Sequence, residues 1–109
     1  MASKICIVGS SNIDQIAYVD STPSDGETVF GNEYKMGFGG KGANQAVMAG
    51  LMGAETYMIT CLGDDVYADM TIENYKKNGV NVDFIQKVSG SSGVAVSYTH
   101  LTLPTTLVV

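Results

Sequence analysis

A chain of 109 residues suits one small folded unit or a segment of a larger one, and its hydrophobic content of 45% sets it apart from disordered sequences. Six basic residues, all lysines scattered along the chain, stand against eleven acidic ones for a net charge of −5. No basic stripe follows a phosphate backbone or an anionic lipid surface, so nucleic acid and membrane are excluded as expected partners.

The opening "MASKICIVG" has no basic region leading into a long apolar run, so no secretory signal is read and a cytoplasmic setting is expected. "KICIVG", Lys4 to Gly9, is apolar, rich in β-branched residues and closed by glycine, the pattern of a strand buried on both faces of a parallel sheet. In "SSNIDQIAYVD" Asn12 and Asp14 lie two apart, so an extended chain projects them to one side. A simple turn after the first strand would also account for this pair. "STPSDGE" is turn-rich, and "TVFGNEYKMGF" reads as a half-exposed strand.

From Gly42 to Leu51, "GANQAVMAGL" is compatible with a helix whose Ala43, Ala46, Ala49 and Gly50 form a flat face for close approach to a sheet. Gly53 stands where a C′ glycine ends such a helix. Thr56 to Leu62 reads as a second buried strand. Asp64 and Asp65 then stand at a helix start, where carboxylates cap free N–H groups; they read as caps rather than metal ligands. "VYADMTIENYKKNG" closes with Lys76 and Lys77 in its last turn and Gly79 behind them, the expected polarity. "VDFIQKV" and "SGVAVSY" supply two further strands. Cys6 and Cys61, in apolar runs, are expected as reduced thiols in a core. Met48, Met52, Met58 and Met70 are expected as core filler.

The alternation of strand and helix predicts an α/β fold with a mainly parallel sheet flanked by helices. Between about Ile13 and Phe38 the strand-like pieces have no helix, which predicts a small β excursion leaving the main sheet.

The stretch "MGFGGKGANQA", Met36 to Ala46, carries the densest chemistry. Gly37 to Gly42 matches G-x-G-x-x-G, but a dinucleotide fingerprint belongs in the first strand-to-helix turn, and here the β excursion intervenes. A Walker A loop requires Ser or Thr after Gly-Lys, and Gly42 follows Lys41. A tight turn before a helix is a third reading. It leaves unexplained an asparagine, Asn44, early in the helix, a costly residue there unless its amide is used.

"GGKGANQAVMAGLMGAETYMITCLGDD" resembles the N-terminal signature of the PfkB family of carbohydrate kinases: Gly39, Gly40, Gly42, Asn44, Ala46, Gly53 and Gly63 meet every position of its spaced pattern. "GSSNIDQIAYVD", "PSDGETVFGNEY" and "GFGGKGANQAVMAG" are similar in order and spacing to the ribokinase branch, and the likeness runs from about Ile5 to Val96. The resemblance implies a ribokinase-like fold with lid strands at about 13–38 and 93–97. It implies phosphorylation of ribose to ribose 5-phosphate with ATP and Mg²⁺, a monovalent cation being possible. Another sugar or a nucleoside, or a sugar-binding module without chemistry, are the alternatives.

Carried over by position, the substrate contacts are Asn12, Asp14, Gly40, Lys41 and Asn44, with Gly39 beside them and Ala95 as a lid position packing on the sugar. The residue types suit the task. Sugar hydroxyls both donate and accept: a carboxylate answers the donors, carboxamides answer both, and bare glycine backbone admits close approach. The lid implies water exclusion and a homodimer contact.

Phosphoryl transfer also needs a base, anion-stabilising donors and a nucleotide pocket. The family's loop for these, its acidic metal-linked motif and its adenine pocket match nothing in this sequence, so no catalytic, cofactor or metal residues are assigned. The chain corresponds to an N-terminal part (1–96) carrying most of the sugar-binding half and is expected to be inactive alone. "SYTHLTLPTT" does not fit the family's lid hairpin and resembles a translated sequencing adapter, so 97–109 is expected to be a foreign tail and its His100 not catalytic.

Overall fold

A computed structural model describes residues 3–99. Strand β1 (Lys4–Val8) leads into β2 (Asn12–Tyr18) and β3 (Glu33–Gly39), and helix α1 (Lys41–Leu51) follows. Then come β4 (Glu55–Ile59), β5 (Cys61–Leu62), α2 (Val66–Lys77), β6 (Val80–Asn81), β7 (Gln86–Lys87) and β8 (Val94–Thr99). The main sheet has the order β1-β4-β6 with both pairings parallel, as the alternating pattern predicts. The excursion is a sheet of its own, ordered β3-β2-β8: β2 runs antiparallel to β3 and parallel to β8.

One hydrophobic cluster joins α1, α2 and the main sheet: Ala43, Ala46, Met58, Tyr75 and Val80 are buried, and Ile7, Val47, Val82 and Ile85 pack against them. The small residues of α1 permit this closeness. Ala46 is fully buried, and at Gly50 a Cβ would lie 2.4 Å from the carbonyl oxygen of Asn78. Gly50 therefore makes room for the α2–β6 turn rather than for the sheet. Gly53, at φ 90°, follows the C-cap Met52, where the glycine signal predicts the end of the helix. Asp65 caps α2 by accepting from the Ala68 amide, and Lys76 and Lys77 occupy its last turn.

Several expectations are corrected. β1 is not buried on both faces: of its residues only Ile7 is half-buried. Register explains why. Ile7 pairs with Met58 on the face that α1 covers, whereas Cys6 pairs with Tyr57 and Val8 with Ile59 on the opposite face. No described element covers that second face, so Cys6 is exposed. Cys61 is exposed too, because in the short β5 it is Leu62 that turns inward. Among the methionines, Met58 is core but Met48 and Met52 lie on the outer side of α1, at 58% and 78% exposure.

The single strand expected over 56–62 is two, broken at Thr60, and β5 pairs with β7 in a separate two-stranded sheet. "VDFIQKV" is likewise divided. The Asn81 side chain accepts from the Asp83 amide at 2.8 Å, a local turn that ends β6 before β7 begins. In "TVFGNEYKMGF" the strand starts only at Glu33. The last lid strand continues to Thr99, past the expected end at 97. His100 and the rest of the expected foreign tail lie outside the described residues.

Candidate functional site

The glycine loop, the end of β1 and the start of β2 meet at one place, where Gly39, Gly40 and Gly42 each have a neighbour that forbids a side chain while Gly37 faces open space. A Cβ on Gly42 would come within 2.8 Å of the Gly9 Cα, so two bare backbones bring the first turn of α1 against the end of β1. At Gly40, φ is 103°, a left-handed value that favours glycine, and a Cβ would lie 2.5 Å from the Ser10 carbonyl oxygen. At Gly39 a Cβ would sit 2.5 Å from both carboxylate oxygens of Asp14. The Asp14 carboxylate thus lies directly over the Gly39 backbone. The loop is built around close backbone approaches.

Strand register brings the remaining groups in. Asn12 pairs with Gly39, and Asp14 pairs with Gly37 on one side and Ala95 on the other. The Asn12 carboxamide donates to the Asp14 carboxylate at 2.7 Å, so the two side chains stand on one face of β2. Gln15, on the opposite face, donates to the Tyr67 hydroxyl of α2 at 2.9 Å, which turns Asp14 away from that helix. Asn12, Gly39 and Asn44 line a cavity of about 410 Å³ at the head of α1. Lys41 is the exposed first residue of α1, and no ion pair engages it among the described residues. Ala95 is exposed beside Asp14. Asn12 therefore touches Asp14, Gly39 and Gly40, and Asp14 overlies Gly39; of the predicted residues Asn12, Gly39 and Asn44 line the cavity, while Asp14, Gly40, Lys41 and Ala95 do not.

Sequence reasoning missed the α2 wall. Thr71, Asn74, Tyr75 and Asn78 line the same cavity. Tyr75 is buried, and its hydroxyl is hydrogen-bonded to that of Ser11, tying α2 to the β1–β2 turn. Burial pushes the Tyr75 phenol above its ordinary pKa, and the Ser11 bond partly offsets this. Asn74 and Asn78, four apart on one helix face, were the available signal.

The profile of the pfkB family carbohydrate kinases matches residues 2–107. The chain belongs to this family. It is similar to the deoxyribokinase of Salmonella typhi, at 45% identity over 92 residues that cover 84% of this chain and 30% of the relative. Bacillus subtilis ribokinase is 42% identical over 92 residues, with 84% and 31% covered. Among solved structures, Arabidopsis thaliana ribokinase complexed with ribose and ATP superimposes with a TM-score of 0.87 at 30% identity, over 94% of this chain and 34% of that one. The chain thus spans about 30% of the length of the curated relatives it matches. The expected ribokinase-like α/β fold is the observed one.

No group of three or more His, Cys, Asp or Glu side chains is placed to hold a metal ion among the described residues. Asp65 is instead engaged as a cap, as the sequence suggests. No helix among the described residues is long and apolar enough to cross a membrane.

Proposed function

We propose that this chain is the sugar-binding part of an ATP-dependent kinase that converts ribose to ribose 5-phosphate. The observation that carries this reading is the packing of the Asn12 carboxamide and the Asp14 carboxylate over the bare backbone of Gly39 and Gly40. In it, Asp14 accepts from sugar hydroxyls, Asn12 and Asn44 donate and accept, and Lys41 adds a positive donor at the rim. Ala95, beside Asp14, packs on the carbon skeleton. The lid sheet β3-β2-β8 keeps water from the reacting centre, because hydrolysis of ATP is the competing reaction. ATP, Mg²⁺ and any monovalent cation are held by residues outside this chain. The likeness to a ribokinase solved with ribose and ATP supports ATP as the donor.

A homodimer through the lid is part of the proposal. Tyr34, Met36, Phe38, Val94, Val96 and Tyr98 pair across Ile13, Gln15 and Ala17 onto the lid face opposite Asp14, and all six are exposed. An exposed apolar sheet face of this kind marks an interaction surface. A cytoplasmic setting is supported by two free, exposed thiols, Cys6 and Cys61.

A second reading, 2-deoxyribose as the sugar, is favoured by the deoxyribokinase relative at 45% identity. One experiment separates the two. Residues 3–96 are joined to the remaining part of Bacillus subtilis ribokinase, and ADP production is followed with each sugar. Faster turnover of ribose, lost by about a hundredfold or more in Asp14→Ala, is the expected result. Preference for 2-deoxyribose would move the substrate. The chain by itself is expected to produce no ADP.

A further inference from the structure

Asp65 lies outside the sugar site, yet its carboxylate does far more than cap α2. It accepts from the Ala68 amide at 3.0 Å, and its two oxygens also take the Ser92 amide and the Ser92 hydroxyl, each at 2.7 Å. Ser92 is itself buried, and its Oγ accepts from the Gly63 amide at 3.0 Å. The neighbouring loop is pressed onto the same spot. The Asp64 amide donates to the Gly90 carbonyl, and a Cβ on Gly63 would lie only 2.2 Å from the Ser92 nitrogen. Asp65 is thus the centre of a clasp between the start of α2 and the segment that enters β8.

What the clasp fixes is the residue after it. The Gly93 carbonyl accepts from the Ile13 amide at 2.9 Å, and Gly93 stands 3.5 Å from the Asn12 Cβ when its own Cβ is built. From there β8 pairs Val94 with Ile13 and Ala95 with Asp14. A chain of short, named contacts therefore runs from Asp65 through Ser92 and Gly93 to the Asn12–Asp14 pair. Charge-assisted bonds to a carboxylate are the stronger class, and here they act at the single point where the lid's third strand leaves the body.

We infer that Asp65 is a positioning residue for the lid: through Ser92 it sets the register of β8 on β2 and so holds Asn12 and Asp14 in place. That the positioned pair binds a sugar rests on the function proposed above; the clasp itself does not.

The test uses the whole chain and residue-resolved amide exchange by NMR, without sugar. Asp65→Ser keeps a good N-cap for α2 but is too short to reach Ser92. It is expected to speed exchange at Ser92, Ile13 and Ala95 by about tenfold or more, the factor that losing a hydrogen bond to a charged group supplies. The α2 amides and those of Ile7 and Met58 should stay protected. The Asn12 side-chain amide resonances, shifted by Asp14, should move as well, which a merely structural role in α2 would not cause. Ser92→Ala, a second variant that keeps the backbone bond to Asp65, is expected to give the same pattern more weakly. Unchanged exchange at Ile13 and Ala95 in both variants would overturn the inference. So would a loss of protection spread evenly over Ile7, Met58 and α2. Because the readout contains no sugar, these outcomes stand apart from the sugar reading, which fails if Asp14→Asn leaves pentose binding unchanged.

Discussion

The molecule contains two three-stranded sheets that differ in what their faces meet. In the main sheet β1-β4-β6, one face is covered by both helices and holds the core of Met58, Val80, Ala46 and Tyr75. In the lid sheet β3-β2-β8, one face carries Asn12 and Asp14 and the other an exposed apolar row from Tyr34 to Tyr98. The first sheet is paid for by burial; the second has little burial of its own and is held by register, by Gln15 on Tyr67 and by the Asp65–Ser92 clasp. On the face opposite Asp14 the central strand meets the body through buried Ile13 and through Gln15 on Tyr67, so it is the flanking apolar rows of β3 and β8 that are left for another molecule.

Substitutions should separate the two regions. The largest effect is expected in the body. Met58→Ala removes a fully buried side chain and should lower stability by about 2–5 kcal/mol in urea unfolding. Next comes the junction, where Gly40→Ala meets both a left-handed φ and the Ser10 carbonyl. It should cost about 1–3 kcal/mol and weaken sugar binding more than Met58→Ala does at temperatures where both are folded. Tyr75→Phe removes the phenolic bond to Ser11 and should cost about 1 kcal/mol, read from the same unfolding curves.

Acid should affect the lid junction before the body. The Ser92 amide above all, then the Ser92 hydroxyl, hold the Asp65 carboxyl below its ordinary pKa of 3.8; burial opposes them, and the Ala68 amide adds a smaller lowering. A depressed folded-state pKa means that this stabilisation is present above the ordinary value and is lost as pH falls through the lowered one. The hydrogen bond from Lys87 to Asp69 raises the nearby Lys87 pKa, and Asp64 and Asp65 in turn add to that rise. Amide protection at Ser92 and Ile13 is expected to fall in that acid range while Met58 stays protected. The smallest effect on stability belongs to Tyr98→Ser on the apolar lid face, which should stay within about 0.5 kcal/mol of the unsubstituted chain. Sedimentation should nevertheless show weaker self-association.

Much of this was legible in the residues. The β excursion, the parallel main sheet, the Asp65 cap and the Gly53 terminator follow from local signals that the tertiary structure leaves alone. The misplaced features share one cause. Cys6, Val8, Met48 and Met52 are apolar by composition, but burial depends on which face of a strand or helix is covered, and periodicity does not reveal an uncovered one. The break at Thr60 and the turn at Asn81 divide apolar runs that look continuous in sequence. At the site, the two-residue spacing places Asn12 and Asp14 on one side of a strand, and it is the family resemblance that groups them with the glycine loop before any coordinates. Thr71, Asn74 and the Ser92 clasp come from distant segments, and only the packing of α2 against the lid brings them near.

Mapping ribose onto the isotope-labelled chain by NMR addresses the central claim most directly. The account expects the largest shift changes at Asn12, Asp14, Gly39, Gly40, Lys41 and Asn44, and their disappearance in Asp14→Ala. Shift changes gathered instead on the uncovered face around Cys6, Tyr57 and Phe84, or none at any of these residues under saturating ribose, would contradict it.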